Sequence, residues 1–357
     1  MKNYRRACLR IDLDAIRQNY LLLQHRAGEG VRIAPVLKAD AYGLGIEAIV
    51  KVLPGLRTVC VASVEEGLAL RRLNGSIEII LLSGLCVEAL KDIQDHRLTP
   101  VVFEPTIIPH LLQWKGKLDC YLKIDTGMNR LGINKKRKKI LRQLREAGNI
   151  RLRGVFSHFS SANDEDEEEM DRQLRRVKEV ADCHEVSMAN SAATMIFSDS
   201  HCAMVRPGLA LLGVTPFRET DKDLIPALRL SSRIIQVKKI GKGEAVGYSR
   251  TFRSEAGMHI AVIAMGYADG LSTRMSNRGY VLIKGQRAPI VGRVSMDMTT
   301  VDVTGIPDVR VGDRVILIGR CGDEEILAED VACWSEKSNY EILCNLGNRI
   351  RRRYRKK

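Results

Sequence analysis

Short apolar segments alternate with longer amphipathic ones over most of the first 206 residues, and this rhythm restricts the possible folds more than any other feature of the 357-residue chain. Runs rich in β-branched and apolar residues predict strands at 33–38, 58–62, 77–82, 98–103, 119–125, 152–158, 185–190 and 204–206. Helical periodicity is predicted between them at 46–53, 64–73, 87–95, 106–114, 135–147 and 165–182. Eight such units imply a parallel (β/α)8 TIM-type barrel of the α/β class, whose site forms at the carboxyl ends of the strands. Past residue 225 the texture changes to glycine-punctuated strand patterns at 228–239, 259–266, 280–284, 288–294, 299–303 and 314–319. The reading is therefore a barrel over 1–224 and a mostly-β C-terminal domain over 225–357. The extreme N-terminal strand is expected to pack with the β domain, and the lack of a low-complexity linker implies that the two pack closely.

Chemistry-bearing residues fall at the end of one predicted barrel strand after another. Strand one ends in Lys38-Ala39-Asp40-Ala41-Tyr42-Gly43, where an apolar run delivers an amine to the mouth. A desolvated, partly neutral lysine is the nucleophile that makes Schiff bases, although a lone lysine at a strand end more often reaches into solvent. Strand five ends in Lys123 and continues Ile124-Asp125-Thr126-Gly127-Met128-Asn129-Arg130-Leu131-Gly132; strand six ends in Ser157-His158, strand seven in Asn190-Ser191 and strand eight in Arg206-Pro207-Gly208-Leu209. Loops after the last two strands of such barrels bind phosphate, and Ser191 and Gly208 suit that task. An amine facing a phosphate cradle across the mouth is the arrangement pyridoxal phosphate requires.

The net charge of +14 suggests nucleic acid, but most of the excess lies in two runs, a C-terminal one (Arg349, Arg351, Arg352, Arg353, Arg355, Lys356, Lys357) and Lys135-Lys136-Arg137-Lys138-Lys139. A basic terminal tail and one solvated helix face account for these, and no aromatics interleave with either run as a stacking surface would need. Nine cysteines without a Cys-x-x-Cys pair read as reduced thiols, neither a disulfide frame nor a metal site. No run approaches a membrane span and no signal-peptide core is seen, so a cytoplasmic protein is expected. The acidic stretch 164–169 reads as the first turn of a helix capped by Asn163, where carboxylates favour the positive end of the dipole.

Together with Gly247-Tyr248-Ser249-Arg250-Thr251-Phe252, Gly266-Tyr267-Ala268-Asp269-Gly270 and Gly292-Arg293-Val294-Ser295-Met296-Asp297, these motifs resemble those of alanine racemases over nearly the whole chain. The resemblance implies interconversion of L- and D-alanine through a pyridoxal 5'-phosphate aldimine on Lys38, supplying D-alanine for peptidoglycan. Two bases, Lys38 and Tyr248, would act on opposite faces of the α-carbon. His158 would support Tyr248, with Arg206 behind it facing the cofactor ring nitrogen. Tyr42, Asn190, Ser191, Gly208 and Leu209 would complete the cofactor site, and Arg130, Tyr267 and Met296 would bind substrate. Lys123 would support Arg130, either as a carbamate, as in some relatives, or as a free amine paired with an acid. A homodimer sharing its active sites is implied, with no nucleic-acid or membrane partner. Leu44, Pro207 and Ser295 depart from common family residues without touching the chemistry. Asn348 is read as replacing a phosphate-binding tyrosine, which raises substantial or preferred serine racemisation as the alternative activity. Two other barrel functions fit less well. A non-catalytic cofactor carrier would lack Tyr248 and the second domain, and a decarboxylase would carry an acid where Arg206 stands.

Overall fold

The computed structural model describes residues 7–164, 166–181, 185–217 and 222–356. Residues 1–6 and the predicted helix ends Glu165 and Asp182 lie outside that set. Strand β1 (Cys8–Asp12) precedes the barrel, which is built from β2 (Arg32–Ile33), β3 (Thr58–Val61), β4 (Glu78–Leu81), β5 (Leu98–Val102), β6 (Leu118–Lys123), β7 (Ile150–Phe156), β8 (Val186–Ser187) and β9 (Met204–Val205). These eight form one parallel sheet in the order β2-β9-β8-β7-β6-β5-β4-β3. The parallel bridge between Val36 and Cys60 closes the circle.

The first strand is shorter than the predicted 33–38, and Pro35 supplies the reason. Proline has no N–H for a ladder, so on the β3 side the segment lacks a donor at position 35 and is joined there through Pro35 O, which accepts the Cys60 N–H at 2.8 Å. The Ala34 N–H donates to Val205 O at 2.9 Å and the Val36 N–H to Pro207 O at 2.8 Å, while Leu37 N–H donates to Cys60 O at 2.9 Å. Lys38 thus follows a segment bonded on both sides. The helix Val64–Leu73 matches its prediction, with Ser63 as N-cap. The helix predicted at 165–182 is observed as Glu167–Ala181. Its cap is Asp166, whose Oδ1 accepts from Glu169 N–H at 3.0 Å; Asn163 lies instead in a preceding 3-10 turn.

The C-terminal region contributes β10 (Leu228–Ile240), β11 (Ala245–Val246), β12 (Phe252–Arg253), β13 (Met258–Ile263), β14 (Tyr280–Ile283), β15 (Gln286–Pro289), β16 (Thr299–Asp302), β17 (Arg314–Cys321), β18 (Glu324–Ile326) and β19 (Arg351–Arg355). Two short helices, Ala328–Ser335 and Asn339–Cys344, also form there. The main sheet runs β15-β14-β17-β10-β1-β19, so the N-terminal strand pairs with the β region, antiparallel to β10 and parallel to β19. Leu9 and Ile11 of β1 are fully buried. The basic C-terminal run is therefore an ordered sheet strand over Arg351–Arg355 and not a loose tail, because backbone pairing with β1 needs no apolar alternation. The described cysteines are all free thiols. Among the described residues no helix is long and apolar enough to cross a membrane.

Candidate active site

Lys38 opens a turn with an unusual backbone. Ala39, Asp40, Ala41 and Tyr42 all adopt left-handed conformations with φ between 52° and 59°, at roughly 1–2 kcal/mol each for L-residues. Hydrogen bonds around the turn offset that cost. Glu66 Oε1 accepts the Ala39 N–H and its Oε2 the Ala62 N–H, both at 2.7 Å. Asp40 accepts twice, from Gly45 N–H through its carbonyl and from Ile46 N–H through Oδ1. Strand β19 holds the far side, with Arg352 Nε donating to Gly43 O at 2.8 Å and Tyr354 Oη to Leu44 O at 2.9 Å.

The turn buries Tyr42 beneath the loops after β8 and β9. Gly208 has to be glycine, because a Cβ there would lie 2.2 Å from Tyr42 Oη. Ser191 Oγ accepts the N–H groups of Gly208 at 2.9 Å and Ala210 at 3.3 Å, so both amides converge on one point. Asn190 caps the short helix Ser191–Ile196 through Ala193 N–H, and Leu209 is buried behind the loop. The Tyr340 ring packs 5.4 Å from that of Tyr42. Burial raises the pKa of its hydroxyl against the opposing hydrogen bond with Ser191, and burial first, then Tyr340, push Tyr42 well above the usual tyrosine range.

Asn348 is exposed, beside Arg349, which pairs with Asp297 at 2.7 Å and Asp269 at 3.2 Å. Tyr340, a residue the sequence reading did not single out, lies about 300 residues from Tyr42 and is brought to it only by the tertiary fold. The stretch Ser338-Asn339-Tyr340-Glu341, a serine cap followed by an aromatic, was the available signal.

The other barrel residues form a crowd of cations. Arg206 is buried, donates to Ser187 Oγ at 2.5 Å and Ser157 O at 2.8 Å, and lies 4.5 Å from the centre of the Phe156 ring. These partners are neutral, so a strand-end salt bridge is not its role among the described residues. Burial lowers its pKa to about 10. His158, half-buried at the mouth, is held well below the usual histidine range by the surrounding protein and then by Arg206, Lys123, Arg130 and Lys38. Burial and then Arg206, Arg130 and Lys38 bring Lys123 down to about 8, with Asp125 opposing. Lys38 and Arg130 remain exposed at the rim.

Tyr248, Tyr267 and Met296 lie elsewhere, lining a cleft of about 910 Å³ on the β region together with Arg274, Arg293 and Asp297 and with none of the barrel residues. They are 71, 45 and 52% exposed, respectively. Gly266 sets this cleft, since a Cβ there would lie 2.2 Å from Ser295 O. Residues 266–268 can therefore bond to 295–296, through Tyr267 N–H to Ser295 O and Ala268 N–H to Met296 O, both at 3.0 Å.

Comparison with known proteins decides the lineage. The alanine racemase N-terminal domain family matches residues 11–216 and the alanine racemase C-terminal domain family residues 227–354. The chain belongs to the alanine racemase family. It is 35% identical to the alanine racemase of Halothermothrix orenii over 97% of this chain and 96% of that one, and 36% identical to that of Syntrophobacter fumaroxidans over 94% of each. Among solved structures it resembles the alanine racemase of Bartonella henselae with covalently bound pyridoxal phosphate, with a TM-score of 0.92, 32% identity and coverage of 98 and 99%. It also resembles that of Bacillus anthracis with bound L-Ala-P, with a TM-score of 0.89, 32% identity and coverage of 100 and 96%. Within an alanine racemase fold, the cation-lined mouth and the open tyrosine cleft thus sit in two separate places of one chain.

Proposed function

We propose that this chain interconverts L-alanine and D-alanine with pyridoxal 5'-phosphate, as a cytoplasmic homodimer, and supplies D-alanine for peptidoglycan. One observation carries the reading: Arg206, buried among neutral partners, lies below a mouth whose rim bears Lys38. The residues fit the cofactor. Lys38 would hold its carbonyl carbon, while Tyr42, Tyr340, Ser191 and the amides of Gly208, Leu209 and Ala210 would hold its phosphate, at the loop that the missing Cβ of Gly208 lets approach Tyr42. Bound there, pyridoxal phosphate supplies the electron sink that acidifies the substrate α-hydrogen.

The chain's residues do the rest. Lys38 Nζ takes or returns the α-proton on one face, and Tyr248 Oη, supplied by a partner chain, acts on the other. An arginine cannot accept a proton, so Arg206 would face the cofactor ring nitrogen without keeping it protonated, and the shallower sink would favour returning the proton over deeper chemistry. Neutral His158 donates an N–H toward Tyr248, and Arg130 receives the substrate carboxylate. Lys123, depressed to about 8, is the amine best prepared to add carbon dioxide. Its nitrogen would bond the carbon and release a proton, leaving a carbamate anion between cations. The serine alternative rests on Asn348, which is exposed in this chain, and nothing in the structure favours it.

The test is direct. Purified protein loaded with the cofactor should convert L-alanine to D-alanine, and borohydride should abolish its visible absorption and fix the cofactor on Lys38. A loaded protein that borohydride labels on another lysine would overturn the assignment.

A further inference from the structure

The basic C-terminal run has a consequence the active site does not absorb. Parallel pairing of β19 with β1 sets Arg353 beside Arg10, and antiparallel pairing of β1 with β10 sets Arg10 beside Arg229. The same pairings set Arg351 beside Cys8 and Cys8 beside Ser231, and Arg314 of β17 is the partner of Arg233. Side chains alternate along a strand, so these arginines share the sheet face opposite to buried Leu9 and Leu230. There they line a cleft of about 210 Å³ with no acidic residue in its wall.

Like charges placed directly opposite on neighbouring strands repel, and the fold does little to relieve them. Among the described residues Arg10, Arg314, Arg351 and Arg353 make no side-chain hydrogen bond or ion pair, and the buried Nε of Arg229 has no partner. Only Arg233 is engaged, donating to Gly312 O at 2.7 Å. Guanidinium groups are the side chains best matched to phosphoryl oxygens.

We propose that this cleft is a binding site for a short polyphosphate, either inorganic or the phosphate chain of a nucleotide. The row Arg353-Arg10-Arg229 crosses three strands about 4.8 Å apart, roughly 10 Å in all, a span that suits a few linked phosphoryl groups better than one orthophosphate. The cleft is too small for a duplex, and no aromatic lines it for stacking bases.

Calorimetric titration of the cofactor-loaded protein with tripolyphosphate, ATP, orthophosphate and a duplex oligonucleotide tests this. Tripolyphosphate should bind saturably, one per chain, without displacing the cofactor, and at least about ten-fold more tightly than orthophosphate. ATP binding equally well or better would assign the nucleotide source, and weaker ATP binding the inorganic one. The Arg10→Gln/Arg353→Gln variant should bind at least about ten-fold more weakly with unchanged racemisation in anion-free buffer. Arg351→Gln provides the same comparison if that pair folds poorly. Tripolyphosphate should raise the melting temperature of the parent protein but not of the variant. No saturable binding, equal binding by the variants, binding only with cofactor loss, or a clear preference for the duplex would each overturn the proposal.

Discussion

The barrel mouth and the tyrosine cleft prepare their residues in opposite ways. At the mouth, Lys123, His158 and Arg206 stand partly or wholly out of water and within one another's fields, so this chain alone sets their proton affinities. In the cleft, Tyr248, Tyr267 and Met296 stand in solvent. The contrast teaches that a racemase needing both halves must bring the open half against a mouth, and within one chain the two do not share a pocket. The proposed dimer does this by placing the cleft of one chain over the mouth of the other.

The sharpest way to break the comparison is to remove the barrel base. Lys38→Ala should lower kcat by about 10³-fold or more, since the proposed cofactor anchor and one proposed proton carrier are lost together. Retained activity would move the chemistry away from the mouth. Next comes Tyr248→Phe, expected to cost about 10²-fold or more in racemisation and to slow exchange of the α-hydrogen of one enantiomer with solvent deuterium more than that of the other. Because Tyr248 is so exposed, its loss should leave the melting temperature of the isolated chain unchanged. Mixing Lys38→Ala with Tyr248→Phe chains under subunit exchange should then restore activity. Failure to recover it despite proven exchange would put both bases on one chain.

A smaller effect tests how tightly the mouth is built. Gly208→Ala places a methyl group where Tyr42 Oη now lies, and overpacking of this kind costs about 1–3 kcal/mol. The expected results are a lower melting temperature and faster loss of the cofactor on dialysis. Tyr42→Phe removes the clashing oxygen, so the double variant should recover much of the lost stability but not the cofactor retention. If Gly208→Ala alone keeps the cofactor as the parent does, the close approach is not what positions the phosphate loop.

What could be read from the sequence follows from which interactions are local. The barrel's strands were legible because each alternates between an apolar run and a helical period, and Lys38, His158 and Arg206 because each ends such a run. Pro35 concealed the end of the first strand: its missing N–H removes one donor on the β3 side, where the pairing that closes the barrel forms. Tyr340 was not singled out because only the packing of the helix Asn339–Cys344 beneath the Lys38 turn brings it to Tyr42. The tail became a strand through backbone pairing with β1, which leaves no apolar pattern in Arg351-Arg352-Arg353-Tyr354-Arg355.

The smallest effect concerns Lys123, whose pKa is lowered from 10.5 to about 8 by burial and then by neighbouring cations. Below about 8 the ammonium is present in both folded and unfolded chains, and the folded one bears the full cost of holding it there. Between about 8 and 10.5 the unfolded chain binds the extra proton, so stability rises with pH across this window. Buried tyrosines titrate in the opposite sense at the upper end, so the informative quantity is a difference. In carbonate-free buffer Lys123→Met should melt a few degrees above the parent at neutral pH, and the gap should close as the pH approaches 10.5. Bicarbonate should reverse the sign if the carbamate forms, because an anion among Arg130, Arg206 and Lys38 is stabilised where an ammonium was repelled. A gap indifferent to both pH and bicarbonate would mean that Lys123 is solvated in the assembled enzyme, and that the cation crowd at the mouth is looser than its geometry implies.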